Sequence, residues 1–227
     1  MPTGRELKKL LQPLLARRPD LAFVGRVLFF QPLTHYLRGV GFDFSRFHSA
    51  SGAVSFAHQL YNGQDTPDFG YSNGYTYQMS LDWEQDLTQT SARLCEVMEQ
   101  QALPPVEGIV DYVEHQRLPP YLCLLAWQEL ADSPKGSFTV ALGECSVADF
   151  DAAEKRLSDT LRPSPLDAVI EVSRYSPNLR GRMRYLLGIL REDRTKVLPL
   201  LHDWEAHAVK GMKLTKYWKP TPFPGEL

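Results

Sequence analysis

A chain of 227 residues that is 43% hydrophobic and 23% charged, with a net charge of −2, sits near globular averages and excludes a disordered or fibrous chain. Three cysteines, Cys95, Cys123 and Cys145, are odd in number and widely spaced, which fits neither a disulfide framework nor a C-x-x-C metal or redox pair. A reducing compartment is expected, and with no apolar run that reads as an export signal or a membrane span, a cytoplasmic protein.

In chain order, Leu7, Leu10, Leu11, Leu14 and Leu15 recur at helical spacing and predict an amphipathic helix over residues 4–18, kinked or restarted at Pro13. Residues 23–30 are aromatic and β-branched and predict a strand. Three further strands are expected over 41–47, 53–61 and 75–81, and residues 138–142 read as a fifth strand or a link. Short runs broken by turn residues, with no βαβ rhythm, favour antiparallel pairing. Between the last two of the four main strands, residues 62–74 carry three glycines, two asparagines and a proline, the clearest loop in the chain and longer than a hairpin turn needs.

From Leu87 onward, helices are predicted over 87–101, 106–116, 119–132, 147–161, 178–192 and 195–210, punctuated by Pro104-Pro105 and Pro119-Pro120. Three alternating prolines at 220, 222 and 224 predict an extended tail over 217–227. Its aromatic residues, Tyr217, Trp218 and Phe223, are expected to dock on the chain itself or on a partner. The expected fold is therefore α+β, an antiparallel sheet in the N-terminal half packed by helices and a mainly helical C-terminal half. It is read as one compact domain with lobes over 1–103 and 104–216.

Charge is unevenly distributed. Residues 1–26 hold six basic and two acidic side chains, a net +4; residues 43–171 hold seven and twenty, a net −13; residues 174–219 hold eleven and four, a net +7. Either the basic ends pack around the acidic middle and cancel it, or a basic face is left for an acidic partner or a phosphate backbone.

The chemistry-bearing residues form no recognised motif. His202 and His207 stand at i, i+5, whereas two zinc ligands on one helix need i, i+4. Asp111, Glu114 and His115 read as solvated helix polarity, and G-x-S-x-G, H-E-x-x-H, Walker A and strand-linked G-x-G-x-x-G sequences are missing. No metal or cofactor site is expected. Arg180 and Arg184 share a helix face and are candidates for an anion or a partner. In the 62–74 loop, Asp65, Asp68, Tyr71 and Asn73 are candidates for recognition. Phe29, Phe30, Phe42, Phe44, Tyr75 and Tyr77 are expected to be core rather than a base-stacking platform.

In layout, a leading helix, an aromatic antiparallel sheet and a helical second half, the chain is similar to small bacterial proteins that include toxin-neutralising immunity proteins. That resemblance implies a protein-binding role. The expected function is an interaction protein, with the acidic middle and the 62–74 loop as candidate recognition surfaces and another protein rather than nucleic acid or a membrane as its partner. The alternative is an enzyme whose site assembles from dispersed residues such as His35, Arg38, His58 and His115.

Overall fold

The computed structural model describes residues 3–43, 51–66, 76–79, 87–116, 133–161 and 177–227. Its first element, α1 (Gly4–Leu10), opens on a capping box: the Glu6 backbone N–H donates to Thr3 Oγ1 at 3.3 Å and the Thr3 N–H to the Glu6 carboxylate at 2.6 Å. Proline at 13 denies an uninterrupted helix its hydrogen bond, so the chain breaks at Leu11 and restarts as α2 (Gln12–Arg17). Leu7, Leu10, Leu11 and Leu14 are buried along one side.

Five strands follow, β1 (Leu21–Val24), β2 (Val27–Phe30), β3 (Tyr36–Asp43), β4 (Ser51–Gln59) and β5 (Thr76–Met79), in an antiparallel sheet of order β1-β2-β3-β4-β5. The expected single strand over 23–30 is a hairpin instead. Gly25, at φ 63°, occupies the turn position that a two-residue hairpin reserves for glycine. Register fixes the faces. Val40 opposes Leu28 and Ser55, while Gly39 opposes Phe29 and Phe56. A Cβ at Gly39 would lie 2.7 Å from the Phe29 Cα, so the close approach of β2 and β3 requires glycine there.

The helices α3 (Leu87–Val97), extended by a π-turn over Met98–Ala102, and α4 (Pro104–Glu107) cover the Val40 face. They are tied down by polar bonds: Ser55 Oγ donates to the Ala102 carbonyl at 2.6 Å and Arg38 Nη1 to the Ile109 carbonyl at 2.9 Å. At the end of β2, Phe30 lies between two guanidinium groups, Arg18 at 5.8 Å and Arg38 at 5.3 Å from the ring centroid. Arg18 also holds Asp20 through two bonds of 2.9 and 2.7 Å and Glu107 through one of 2.7 Å. The Arg18 bonds to Asp20 push that carboxyl below its ordinary range.

After α5 (Tyr112–Gln116), α6 (Pro134–Ser146) occupies the segment read as a strand or link over 138–142. Ser133 caps it and Pro134 stands at its first position. Every residue from Gly136 to Ser146 except Thr139 is buried. A helix buried on all sides shows no 3.6-residue period, and its central FTVAL run cannot be told from a buried strand by pattern alone. Then come α7 (Phe150–Thr160), α8 (Pro177–Glu192) and α9 (Val197–Gly211).

The chain forms two compact units: Met1–Gln59, Asp65–Leu124 and Val209–Pro220 make the first, and Leu60–Gln64, Leu125–Ala208 and Thr221–Leu227 the second. The tail docks on its own chain in both. In the first, the Leu33 N–H donates to the Tyr217 carbonyl and the Lys219 N–H to the Leu33 carbonyl, each at 2.8 Å, and Tyr217 meets Phe29 edge-on at 5.1 Å. In the second, Phe223 is fully buried against Tyr61 and His202. The tail is not extended throughout, because short 3-10 turns at Thr215–Tyr217 and Pro224–Glu226 bracket the extended stretch.

Among the described residues, no helix is long and apolar enough to cross a membrane, and no group of three or more His, Cys, Asp or Glu could hold a metal ion.

Candidate functional site

The charge segregation read from the sequence is partly cancelled by pairing. In the first unit, Arg17 meets Glu99 at 2.8 Å and Arg18 meets Glu107 at 2.7 Å. In the second, Arg194 meets Asp151 at 2.7 Å and Glu154 at 3.1 Å, and Arg191 meets Glu154 at 3.2 Å. In each case a basic end of the chain holds an acid from the middle.

Four other cations come together in one hollow. A concavity of about 730 Å³ in the first unit is lined by Arg5 and Lys8 of α1, Arg26 of the β1–β2 turn and Lys216 next to the tail, with Thr3, Gly4, Phe23, Val24, Gly25 and Tyr217. No carboxylate is among the described residues that line it.

Local packing explains how distant parts of the sequence meet there. Gly4 lies against the Gly25 backbone so closely that an added Cβ would press on the Gly25 carbonyl. The start of α1 therefore seats directly on the hairpin turn, beside Arg26. The turn is itself anchored, since the Phe42 N–H donates to the Arg26 carbonyl at 2.9 Å. Tyr217 is held by Leu33 and Phe29, which places Lys216 at the opposite wall, its Nζ 4.5 Å from the Tyr217 ring centroid. Glu6, whose carboxylate is committed to capping Thr3, lines a different groove.

That second groove, about 940 Å³, runs between α1, α2 and α3. It is the larger of the two, yet its cations stand among carboxylates. The Leu10 carbonyl, at the α1–α2 break, accepts from Ser91 Oγ at 2.5 Å and Cys95 Sγ at 3.5 Å. Glu6, Glu96 and Glu99 offset Lys9 and Arg17. Burial pushes the Cys95 thiol up, so little reactive thiolate is present at neutral pH. Cys145, also a free and buried thiol, is raised by burial in the same way.

The residues singled out from the sequence are dispersed. Arg180 is half-buried and Arg184 exposed on α8, while Arg182 between them turns inward and donates to the Asn62 carbonyl at 2.6 Å. In the 62–74 loop, Asp65 is exposed, and Asp68, Tyr71 and Asn73 lie outside the described residues, as does Cys123. Arg38 opposes Ala57 and His58 opposes Leu37, so Arg38 and His58 project from opposite faces of the sheet. His35 is buried, and the side chain of His115 is outside the described set. Asp111 caps α5 by accepting the Glu114 N–H at 2.9 Å. His202 is bound to Glu226 at 2.9 Å and His207 is exposed.

The basic concavity was the feature that sequence reading missed. Its only signal was the matching positive charge at the two ends of the chain. No known protein family, curated protein or solved structure matches the chain.

Proposed function

We propose that this chain is an interaction protein whose basic concavity seats an acidic segment of a protein partner. The observation that carries the reading is the contrast in charge matching. Arg17, Arg18, Arg191 and Arg194 are each paired with carboxylates, whereas Arg5, Lys8 and Lys216 gather beside Arg26 in one hollow whose described lining residues include no carboxylate. Gathering like charges costs energy in the free protein, and an anionic partner recovers it.

A protein partner is favoured over nucleic acid because the aromatic rings at the hollow are already engaged. Phe23 is buried against Phe42 at 6.1 Å, and Tyr217 packs on Phe29 and under Lys216. Neither ring offers the open face on which unpaired bases stack. The enzyme alternative gains no support from Arg38 and His58, which lie on opposite faces of the sheet.

The test is fluorescence anisotropy with a labelled oligo-glutamate peptide and, alongside it, a single-stranded oligonucleotide of equal charge. Lys8→Glu, Arg26→Glu and Lys216→Glu are each expected to weaken peptide binding about threefold to tenfold and to reduce its salt dependence. Reversals that leave peptide binding unchanged would remove the hollow as the site. Tighter binding of the oligonucleotide than of the peptide would replace the protein partner with nucleic acid.

A further inference from the structure

Helix α8 buries Leu179, Met183, Leu186, Leu187 and Leu190. The helical period then carries its opposite face through Gly181, Arg184, Tyr185, Gly188 and Glu192. Tyr185 on that face is 58% exposed, and among the described residues no other aromatic side chain is as exposed. Arg184 and Glu192 are exposed and have no hydrogen-bond or ion-pair partner among the described residues. Their neighbours are committed, Arg182 to the Asn62 carbonyl and Arg191 to Glu154 and to Ser158 at 2.9 Å. A Cβ added at Gly188 would meet nothing within 4 Å, so the middle of the face is open down to the backbone.

Arg184 and Glu192 stand four residues to either side of Gly188, each about 6 Å along the axis, and flank the line of the glycines. A twofold axis crossing α8 at Gly188 would pair two such helices antiparallel. Each Arg184 would then meet the partner's Glu192, and the contact would occur twice per dimer. A parallel pairing would set Arg184 against Arg184 and Glu192 against Glu192, which like charge opposes. The charge pattern therefore fits an antiparallel copy of itself.

We propose that the outer face of α8 is a self-association surface on which a second copy of this chain docks antiparallel about Gly188, with Tyr185 packed along the seam. This surface belongs to the second unit and is independent of the basic concavity. A pair of 16-residue helices buries less than the roughly 1,200 Å² of a stable interface. The dimer is accordingly weak and in exchange with monomer.

Sedimentation velocity of the full chain over a rising concentration series tests this. A monomer–dimer equilibrium is expected. Arg184→Glu and Glu192→Arg should each weaken it about tenfold, since every reversal acts twice across the twofold axis. R184E combined with E192R should restore association to within about threefold of the starting protein. Gly188→Leu, which meets open space in the monomer, should abolish the dimer without lowering thermal stability. A monomer at every concentration would overturn the proposal. So would a dimer indifferent to these changes, or a double variant no better than the single ones.

Discussion

Replacing Phe223 with alanine removes the best-buried part of the C-terminal segment. The ring is fully buried, meets Tyr61 edge-on with centroids 5.3 Å apart, and lies 4.5 Å from the His202 ring. Its backbone N–H donates at 2.6 Å to the same Glu226 carboxylate that meets His202 at 2.9 Å. Truncation to alanine leaves a cavity lined by aromatic groups that are themselves fixed, and buried Phe→Ala changes cost about 3–5 kcal/mol. For a chain of this length, each kcal/mol moves the melting temperature by about 2–4 °C. A fall on the order of 10 °C is therefore expected in a thermal melt followed by circular dichroism. Removing Leu227, which is 97% exposed, should change stability by less than about 0.5 kcal/mol. A Phe223→Ala protein that melts with the unaltered chain would refute the reasoning, because the segment would then be a passenger rather than part of the core.

Arg156 and Glu144 join α7 to α6 through a forked contact of 2.6 and 3.0 Å, with the Glu144 side chain only 10% exposed. Arg156→Met should cost about 3 kcal/mol in urea denaturation by stranding a buried carboxylate, and adding Glu144→Gln should recover part of it. Burial lowers the Lys135 ammonium from 10.5 to about 8, so between those values the unfolded chain holds a proton that the folded chain has lost. Stability should therefore rise with pH across that window. Lys135→Met should flatten the rise and add about 1–2 kcal/mol at pH 7; an unchanged pH profile would count against a desolvated lysine.

The fold was legible wherever one face of an element is solvated. The leucine spacing of residues 4–18 and Pro13 were enough to place α1, α2 and the break between them. Antiparallel pairing followed from short alternating runs, although the Gly25 turn splits what reads as one strand. The helix α6 was misread because burial on all sides erases its period. The i, i+4 spacing of Arg180 and Arg184 suggested a shared role, yet the neighbours of α8 leave Arg180 half-buried and Arg184 outward. The concavity was illegible for another reason. Composition records how many cations each segment carries, and only the Gly4–Gly25 contact and the Leu33–Tyr217 bond decide that Arg5, Lys8, Arg26 and Lys216 line one hollow.

The most direct measurement is amine-reactive footprinting of the lysines, read by mass spectrometry, with and without a saturating oligo-glutamate peptide. Lys8 and Lys216 should be protected together, while Lys155, 81% exposed and paired with Asp159 in the second unit, should label equally in both samples. Equal labelling of Lys8 and Lys216 in the two samples, or protection that falls on Lys155 instead, would contradict a binding site at the basic concavity.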